Sequence, residues 1–250
     1  MNPARSMIGR AGSHVALLVY SLSSLKLLRV QPIRKVFFRQ IFFTGWEALR
    51  FIGLLGLLFG AMVATQSIRF AGGESALEVT ALSRVIVREL GPLLAAMIII
   101  ARSGPAITTE LALIKSGGEM ASLQRMGISP LDYLVVPRIL AVILAVVILT
   151  IHFQLIAILG GLAVSALFQD VSFLYQLERF LALVNPFDML GALAKSVLFG
   201  LAISSIFCYQ GMNVTYAMIE APQAAIKAVS RGMVTVFLLD LLYVLVRFEY

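Results

Sequence analysis

The sequence predicts an all-α integral membrane protein, with an N-terminal interfacial amphipathic helix followed by five transmembrane helices. Of the 250 residues, 60% are hydrophobic and only 13% are charged, and the mean hydropathy is +0.95. Several apolar segments reach about 20 residues, the length that an α-helix needs to cross the hydrocarbon core of a bilayer. The period-two alternation that is typical of half-buried strands is missing. Because backbone polar groups must be satisfied inside the bilayer, we expect these segments to be helical.

Residues 1–43 form a basic N-terminal segment. Apolar side chains recur at helical spacing on one side of residues 13–28, which predicts an amphipathic helix lying on the membrane surface. The first 45 residues contain seven Lys or Arg and no acidic residue. That excess alone would suggest nucleic-acid binding, but beside a membrane span the nearer partner is the anionic lipid headgroup. We therefore expect no nucleic-acid partner.

Five apolar segments follow in residues 44–250, which we interpret as one domain. They cover about residues 44–66, 90–114, 130–168 and 185–209, with a fifth that ends near residue 246. Residues 139–168 carry no charge and would extend about 45 Å as an α-helix, so the third span must tilt or protrude from the hydrocarbon. Asn185 and Pro186 have the order of a helix start, a capping side chain before a proline in the first turn.

The distribution of Lys and Arg predicts the orientation of the chain. With the N-terminus inside, the inner segments 1–45, 111–138 and 209–231 hold 12 of these residues, against 5 in the outer segments. Positive residues are enriched on the cytoplasmic side of membrane proteins. We therefore expect a cytoplasmic N-terminus and a periplasmic C-terminus.

The second span carries charges where a lipid-facing helix would have none. Helical spacing places Arg102 on one line with small residues, and such rows let helices approach closely in lipid. Arg102 is expected either to tie helices together or to line a polar, headgroup-binding cavity. Glu110 lies two turns away, so we expect no direct pair between the two. Pro105 removes a backbone hydrogen bond and predicts a kink beside Arg102.

Other polar residues within the spans give weaker signals. His152 has no second histidine nearby, so packing is favoured over a proton relay or a metal site. Lys195 and Asp240 either pair across helices or meet the membrane surface and water separately. No phosphate-binding loop of the type G-x-x-x-x-G-K-[S/T] is present, so we do not expect the chain to hydrolyse ATP by that means.

Two stretches carry a family resemblance. RELGPLLAAMIIIARSGPAITTELALIK, at residues 88–115, and MGISPLDYLVVPRILA, at residues 126–141, resemble the signature of MlaE-type permeases, the membrane subunits of ABC lipid transporters that work with MCE proteins. Weaker similarity reaches GAMVATQS at residues 60–67, CYQG at residues 208–211 and Asp240, so it covers most of the chain from the first span onward. The matching positions are Arg88, Glu89, Gly91, Pro92, Arg102, Gly104, Glu110, Gly127, Pro130, Pro137 and Arg138.

The resemblance implies a non-catalytic subunit of the bacterial inner membrane that moves phospholipid or a similar amphiphile. It implies a homodimer, a periplasmic MCE-domain protein and a cytoplasmic ABC ATPase, which holds ATP and Mg²⁺, so no cofactor or metal is expected in this chain. A coupling helix near residues 117–126 would contact the ATPase through Gly118, Glu119, Met120, Ala121, Ser122, Leu123 and Arg125. The polar residues of a lipid cavity between the two copies would be Arg102, Glu110, Gln66 and Asp240.

The chain departs from the family pattern in three places. Residues 118–123 read GEMASL where Glu-Gln-Ile-Asp-Ala-Leu is common, which removes an aspartate and favours a divergent ATPase partner. MIEAPQAAIK replaces a glycine-rich segment before the last span, and Pro105 replaces a small residue. An alternative from another class is a structural or assembly scaffold whose charged helix only mediates oligomerisation. The sequence leaves open the lipid, the direction of transport and the identity of the partners.

Overall fold

The structure, a computed structural model, describes residues 17–21, 30–71, 82–169, 171–214 and 217–248. All regular elements in these ranges are helical, which confirms the all-α prediction. The predicted interfacial helix lies mostly outside the described residues, and residues 17–21 are helical. The α-helices beyond them are α1 (Gln31–Ile41), α2 (Glu47–Ala71), α3 (Gly91–Ser116), α4 (Glu119–Arg125), α5 (Val136–Gln169), α6 (Phe173–Leu183), α7 (Pro186–Met212) and α8 (Ala217–Phe248).

Three π-helical stretches precede long α-helices. Phe42–Trp46 joins α1 to α2, Leu82–Leu90 leads into α3, and Leu131–Val135 leads into α5. Three of the basic residues that precede the first predicted span, Arg34, Lys35 and Arg39, are therefore part of one helical run from residue 31 to residue 71. Segments with the wider π geometry are frequent at functional sites, and the second of these ends with Arg88, Glu89 and Leu90, the first three residues of the RELGP motif.

Four helical runs in the described residues are long and apolar enough to cross a membrane: Gln31–Arg69, Leu131–Gln169, Pro186–Met212 and Glu220–Val246. These correspond to four of the five predicted spans. The remaining predicted span is α3, which is not among the four, although its 26 residues would reach about 39 Å. It carries Arg102, Glu110 and Lys115.

Two elements differ from the sequence prediction. The helix α6, of 11 residues, lies between the third and fourth predicted spans, where no helix was predicted. Its Gln176 is buried and donates to Gln169 Oε1 at 3.0 Å. The last helix begins already at Ala217 and carries Pro222 inside it. In contrast, the predicted start of α7 is confirmed, since the side chain of Asn185 accepts the backbone N–H of Phe187 at 3.0 Å.

The described residues fall into two compact units, each built from separate parts of the chain. The first comprises those of Met1–Thr44, Met97–Ala145 and Leu198–Tyr250, and the second those of Gly45–Ala96 and Val146–Val197. Within the second unit α2 packs closely against α5, because a β-carbon on Gly60 would overlap the carbonyl oxygen of Ala157. Within the first unit α3 packs against α7, where a β-carbon on Gly211 would lie 2.7 Å from the carbonyl oxygen of Thr108. Such close approach is how helices associate in lipid.

Candidate functional site

The segment between α3 and α5 forms a short, sharply bounded helix. Gly118 precedes α4 with a φ of 77°, and Gly127 follows it with a φ of 75°. Both angles lie in the left-handed region that glycine adopts without a steric penalty. After α4 the backbone N–H of Ile128 bonds the carbonyl of Leu123 at 2.9 Å, and that of Gly127 bonds Gln124 at 3.0 Å. This pair is a Schellman motif, which terminates the helix with its last carbonyls satisfied.

Most of the residues predicted to contact an ATPase are accessible on this helix. Met120 and Leu123 are half-buried, whereas the others are exposed, namely Gly118, Glu119, Ala121, Ser122 and Arg125. Met126, just beyond the helix, is 65% exposed. A short helix therefore lies close to the bounds predicted for the coupling helix, and its surface carries both charged and apolar side chains. Its contact with an ATPase stays a prediction.

An ion pair between a buried arginine and an exposed glutamate joins the second half of α3 to the start of α5. Arg138 Nη2 lies 2.7 Å from Glu110 Oε1, and Arg138 Nη1 donates to the carbonyl of Leu134 at 3.1 Å. The side chain of Arg138 is 4% exposed, and that of Glu110 is 54% exposed. Glu110 was predicted as a polar residue of a lipid cavity, and the structure gives it a partner that the sequence did not indicate. A buried guanidinium requires such a partner.

A second group of polar contacts surrounds the RELGP motif, within the second unit. Arg88 Nε lies 3.1 Å from Asp188 Oδ1, and Lys195 Nζ lies 2.6 Å from Glu89 Oε2. Gln154 Nε2 donates to the carbonyl of Val87 at 3.0 Å. These contacts connect the π-helical stretch Leu82–Leu90 to α7 and α5. The sequence named Arg88, Glu89 and Lys195 without indicating the pairs, since the partners lie about 100 residues apart in the chain.

The residues predicted for a lipid cavity occupy several helices. Arg102 and Glu110 lie on one exposed face of α3, and Ala106 lies between them on the same face. Gln66 is exposed on α2, and Asp240 is half-buried on α8. Pro105 lies inside α3, and the predicted kink at this residue stays a prediction.

The structure places His152 in a packed position, as the sequence analysis favoured. A β-carbon on Gly53 would lie 3.2 Å from its Nε2 atom, so the imidazole packs against α2.

The sequence predicted only in part which face of α3 is buried. The row of residues that shares a face with Arg102 is buried at Gly91, Ala95 and Ile98 but exposed at Arg102 and Ala106. In the second half of α3 the buried face instead carries Ser103, Gly104, Ile107, Thr108, Leu111 and Ala112. Both rows contain small residues, so their spacing alone does not distinguish the face that packs inside the chain.

Comparisons with known proteins agree on one family. The family model described as Permease MlaE matches residues 37–246. The chain is 29% identical over 232 residues to the intermembrane phospholipid transport system permease protein MlaE of Haemophilus influenzae, covering 89% of this chain and 87% of the relative. It is 32% identical over 177 residues to a probable ABC transporter permease protein of Rickettsia prowazekii, covering 69% and 68%. A probable ABC transporter permease protein of Synechocystis is 30% identical, covering 76% and 72%.

Proposed function

Because the chain belongs to the MlaE permease family, we propose that it is the membrane subunit of an ABC transporter for phospholipid or a similar amphiphile. A separate cytoplasmic ATPase would hold ATP and Mg²⁺, and the lipid would pass between the inner membrane and an MCE-protein assembly. The observation that carries this proposal is α4, an exposed seven-residue helix fixed between two left-handed glycines. It is a surface element joined by short connections to α3 and to the π-helical stretch before α5.

The attachment of α4 supports a coupling mechanism. Nucleotide-driven closure of the ATPase would displace α4, and its short connections would pass the displacement to α3 and to Leu131–Val135 before α5. The ion pair between Glu110 and Arg138 joins those same two helices. A push on α4 would therefore move α3 and α5 together, and Pro105 would mark the point at which α3 bends.

The burial pattern supports a homodimer with a lipid cavity between the copies. In the most apolar part of the span Glu220–Val246 only 11% of the residues are buried within the chain. A second copy would cover part of this surface, and the exposed face of α3 with Arg102 and Glu110 would line the shared chamber together with Gln66 and Asp240. In this arrangement five helices, including α3, cross the membrane, the N-terminus is cytoplasmic and the C-terminus is periplasmic.

The ATPase contact is tested by substituting the exposed face of α4. Ala121→Glu places a charge at the centre of that face, and Ala182→Glu makes the same change at an exposed alanine of α6. We expect Ala121→Glu to reduce co-purification of a cytoplasmic ABC ATPase by about tenfold, equivalent to about 1.4 kcal/mol. Ala182→Glu should leave it unchanged. Failure of any ATPase to associate with the unsubstituted chain would contradict the proposal.

Transport is separated from a scaffold role by ATPase activity in proteoliposomes. A permease complex should hydrolyse ATP faster when phospholipid and the MCE-domain protein are present, because both act on the cavity that α4 controls. A scaffold would bind partners without changing hydrolysis. Equal hydrolysis with and without the permease would favour the scaffold.

A further inference from the structure

A cavity of about 800 Å³ lies beside α4, which contributes Met120 and Gln124 to its walls. Its walls come from α4 and the residues that follow it, the end of α3, the last turn of α7 and the helical stretch at residues 17–21. All of these belong to the first unit. The hydroxyl of Tyr20 donates to Asp132 Oδ1 at 2.6 Å and holds residues 17–21 beside the start of the third span. The volume falls within the range of about 300–1,000 Å³ that is typical of sites for small organic ligands.

The lining of this cavity combines an apolar surface with a single charge. Leu17, Met120, Ile128 and Met212 contribute hydrocarbon, and Lys115 is the one charged side chain among the described lining residues, which include no carboxylate. Lys115 Nζ donates to the carbonyl of Met212. An ammonium group has three N–H donors, so two remain for a ligand. The chemistry matches a molecule with an apolar chain and a negatively charged head.

We propose that this cavity binds an anionic amphiphile with one acyl chain, whose carboxylate or phosphate head pairs with Lys115. The acyl chain lies against Met120 and Gln124, which are one turn apart on α4 and both line the cavity. The bound amphiphile packs against α4 and stabilises its position. The site is separate from the proposed transport cavity, and its occupation does not depend on the transport function.

The test uses the purified full-length chain in nanodiscs and three photoreactive probes with the same C16 chain. Two probes are anionic, a diazirine fatty acid and a diazirine lysophosphatidic acid, and the third is the neutral diazirine alcohol. Labelled peptides are identified by mass spectrometry over a concentration series. We expect both anionic probes to label residues that line the cavity, and the one that saturates at the lower concentration identifies the preferred head.

Two substitutions address the two features of the site separately. Lys115→Gln should weaken labelling by the anionic probes by about tenfold, because hydrogen bonds to charged groups are worth about that factor or more, and should leave the neutral probe unchanged. Ile128→Trp fills the cavity and should reduce labelling by all three probes about tenfold, and Gln124→Trp provides a second filling variant if the first does not fold. Met126→Trp and Lys227→Gln, at exposed positions outside the lining, are the matched controls.

Three results would overturn the proposal. Equal labelling by neutral and anionic probes would remove the role of Lys115. Labelling that survives both filling variants would place the probe elsewhere. Loss of labelling whenever the ATPase is bound would assign the cavity to a protein segment of that partner. None of these results bears on ATPase association through Ala121, so the transport proposal is tested independently.

Discussion

The spans Leu131–Gln169 and Glu220–Val246 are both long, apolar helices, but one is buried by its own chain and the other is not. In the most apolar part of the first, 72% of the residues are buried, against 11% in the second. Phe153 in α5 is fully buried, whereas Phe237 in α8 is 51% exposed. The helix with the higher mean hydropathy is therefore the more buried of the two within its own chain.

This difference raises the question of what covers α8. Its own chain leaves most of the apolar surface of α8 uncovered, including Phe237, Leu238 and Leu241. Lipid tails alone would accept these side chains. In the proposed homodimer we expect this surface to be shared between a second copy and the lipid chamber.

The largest expected effect comes from one substitution made in both helices. Phe153→Ala should lower the free energy of unfolding by about 2–4 kcal/mol, since it opens a cavity in a packed interior, although the usual gain from burial against water is absent in lipid. Phe237→Ala should change it by less than about 0.5 kcal/mol, as is usual at exposed sites. Denaturant titration in detergent measures both free-energy changes, at a protein concentration low enough to keep the chain monomeric. Equal losses would mean that α8 is also interior.

The next largest effect is expected at an ion pair with a buried lysine, compared with an exposed glutamate. Lys195 is fully buried on α7 and pairs with Glu89, so Glu89→Gln should cost about 1.5–3 kcal/mol by weakening a bond to a buried charge. Glu178→Gln, at an exposed position of α6, is the control and should be neutral. If Glu89→Gln were as neutral as Glu178→Gln, the pair would contribute nothing to the interior.

The packing of α2 on α5 predicts a somewhat smaller effect. A β-carbon on Gly60 would overlap the backbone of Ala157, so Gly60→Ala should separate the helices at a cost of about 1–3 kcal/mol. On Gly160 a β-carbon would lie 3.5 Å from the Cα atom of Leu57, an ordinary contact. Gly160→Ala should therefore be neutral or slightly stabilising. Thermal unfolding followed by size-exclusion chromatography distinguishes the two, and equal melting temperatures would contradict this packing.

Sequence reasoning succeeded where local chemistry decides the structure. The uncharged run to residue 168 corresponds to the end of α5 at Gln169, and Asn185 caps α7. Both features depend on residues that are adjacent in the chain. The position of α4 within residues 117–126 was instead indicated by the family resemblance. The 11-residue helix α6 was missed because its segment is too short and too mixed in polarity to give a spanning pattern.

The contacts of the candidate site could not be predicted in the same way. Glu110 pairs with Arg138, Glu89 with Lys195 and Arg88 with Asp188, and each pair is made by tertiary packing between distant parts of one sequence. Small residues on more than one side of α3 also left its buried face undetermined. The family resemblance identified several of these positions but gave none of the pairings.

The proposed transporter requires a second copy that covers α8, and disulfide cross-linking tests this requirement directly. In a Cys208→Ala background, single cysteines at Val234, Leu238, Leu241 and Leu245 follow the exposed face of α8, and one at the buried Val236 is the control. Mild oxidation in native membranes should give a covalent dimer at one or more positions of the exposed face and none at Val236. A monomer at every position, with all four cysteines open to a lipid-soluble maleimide, would contradict the account.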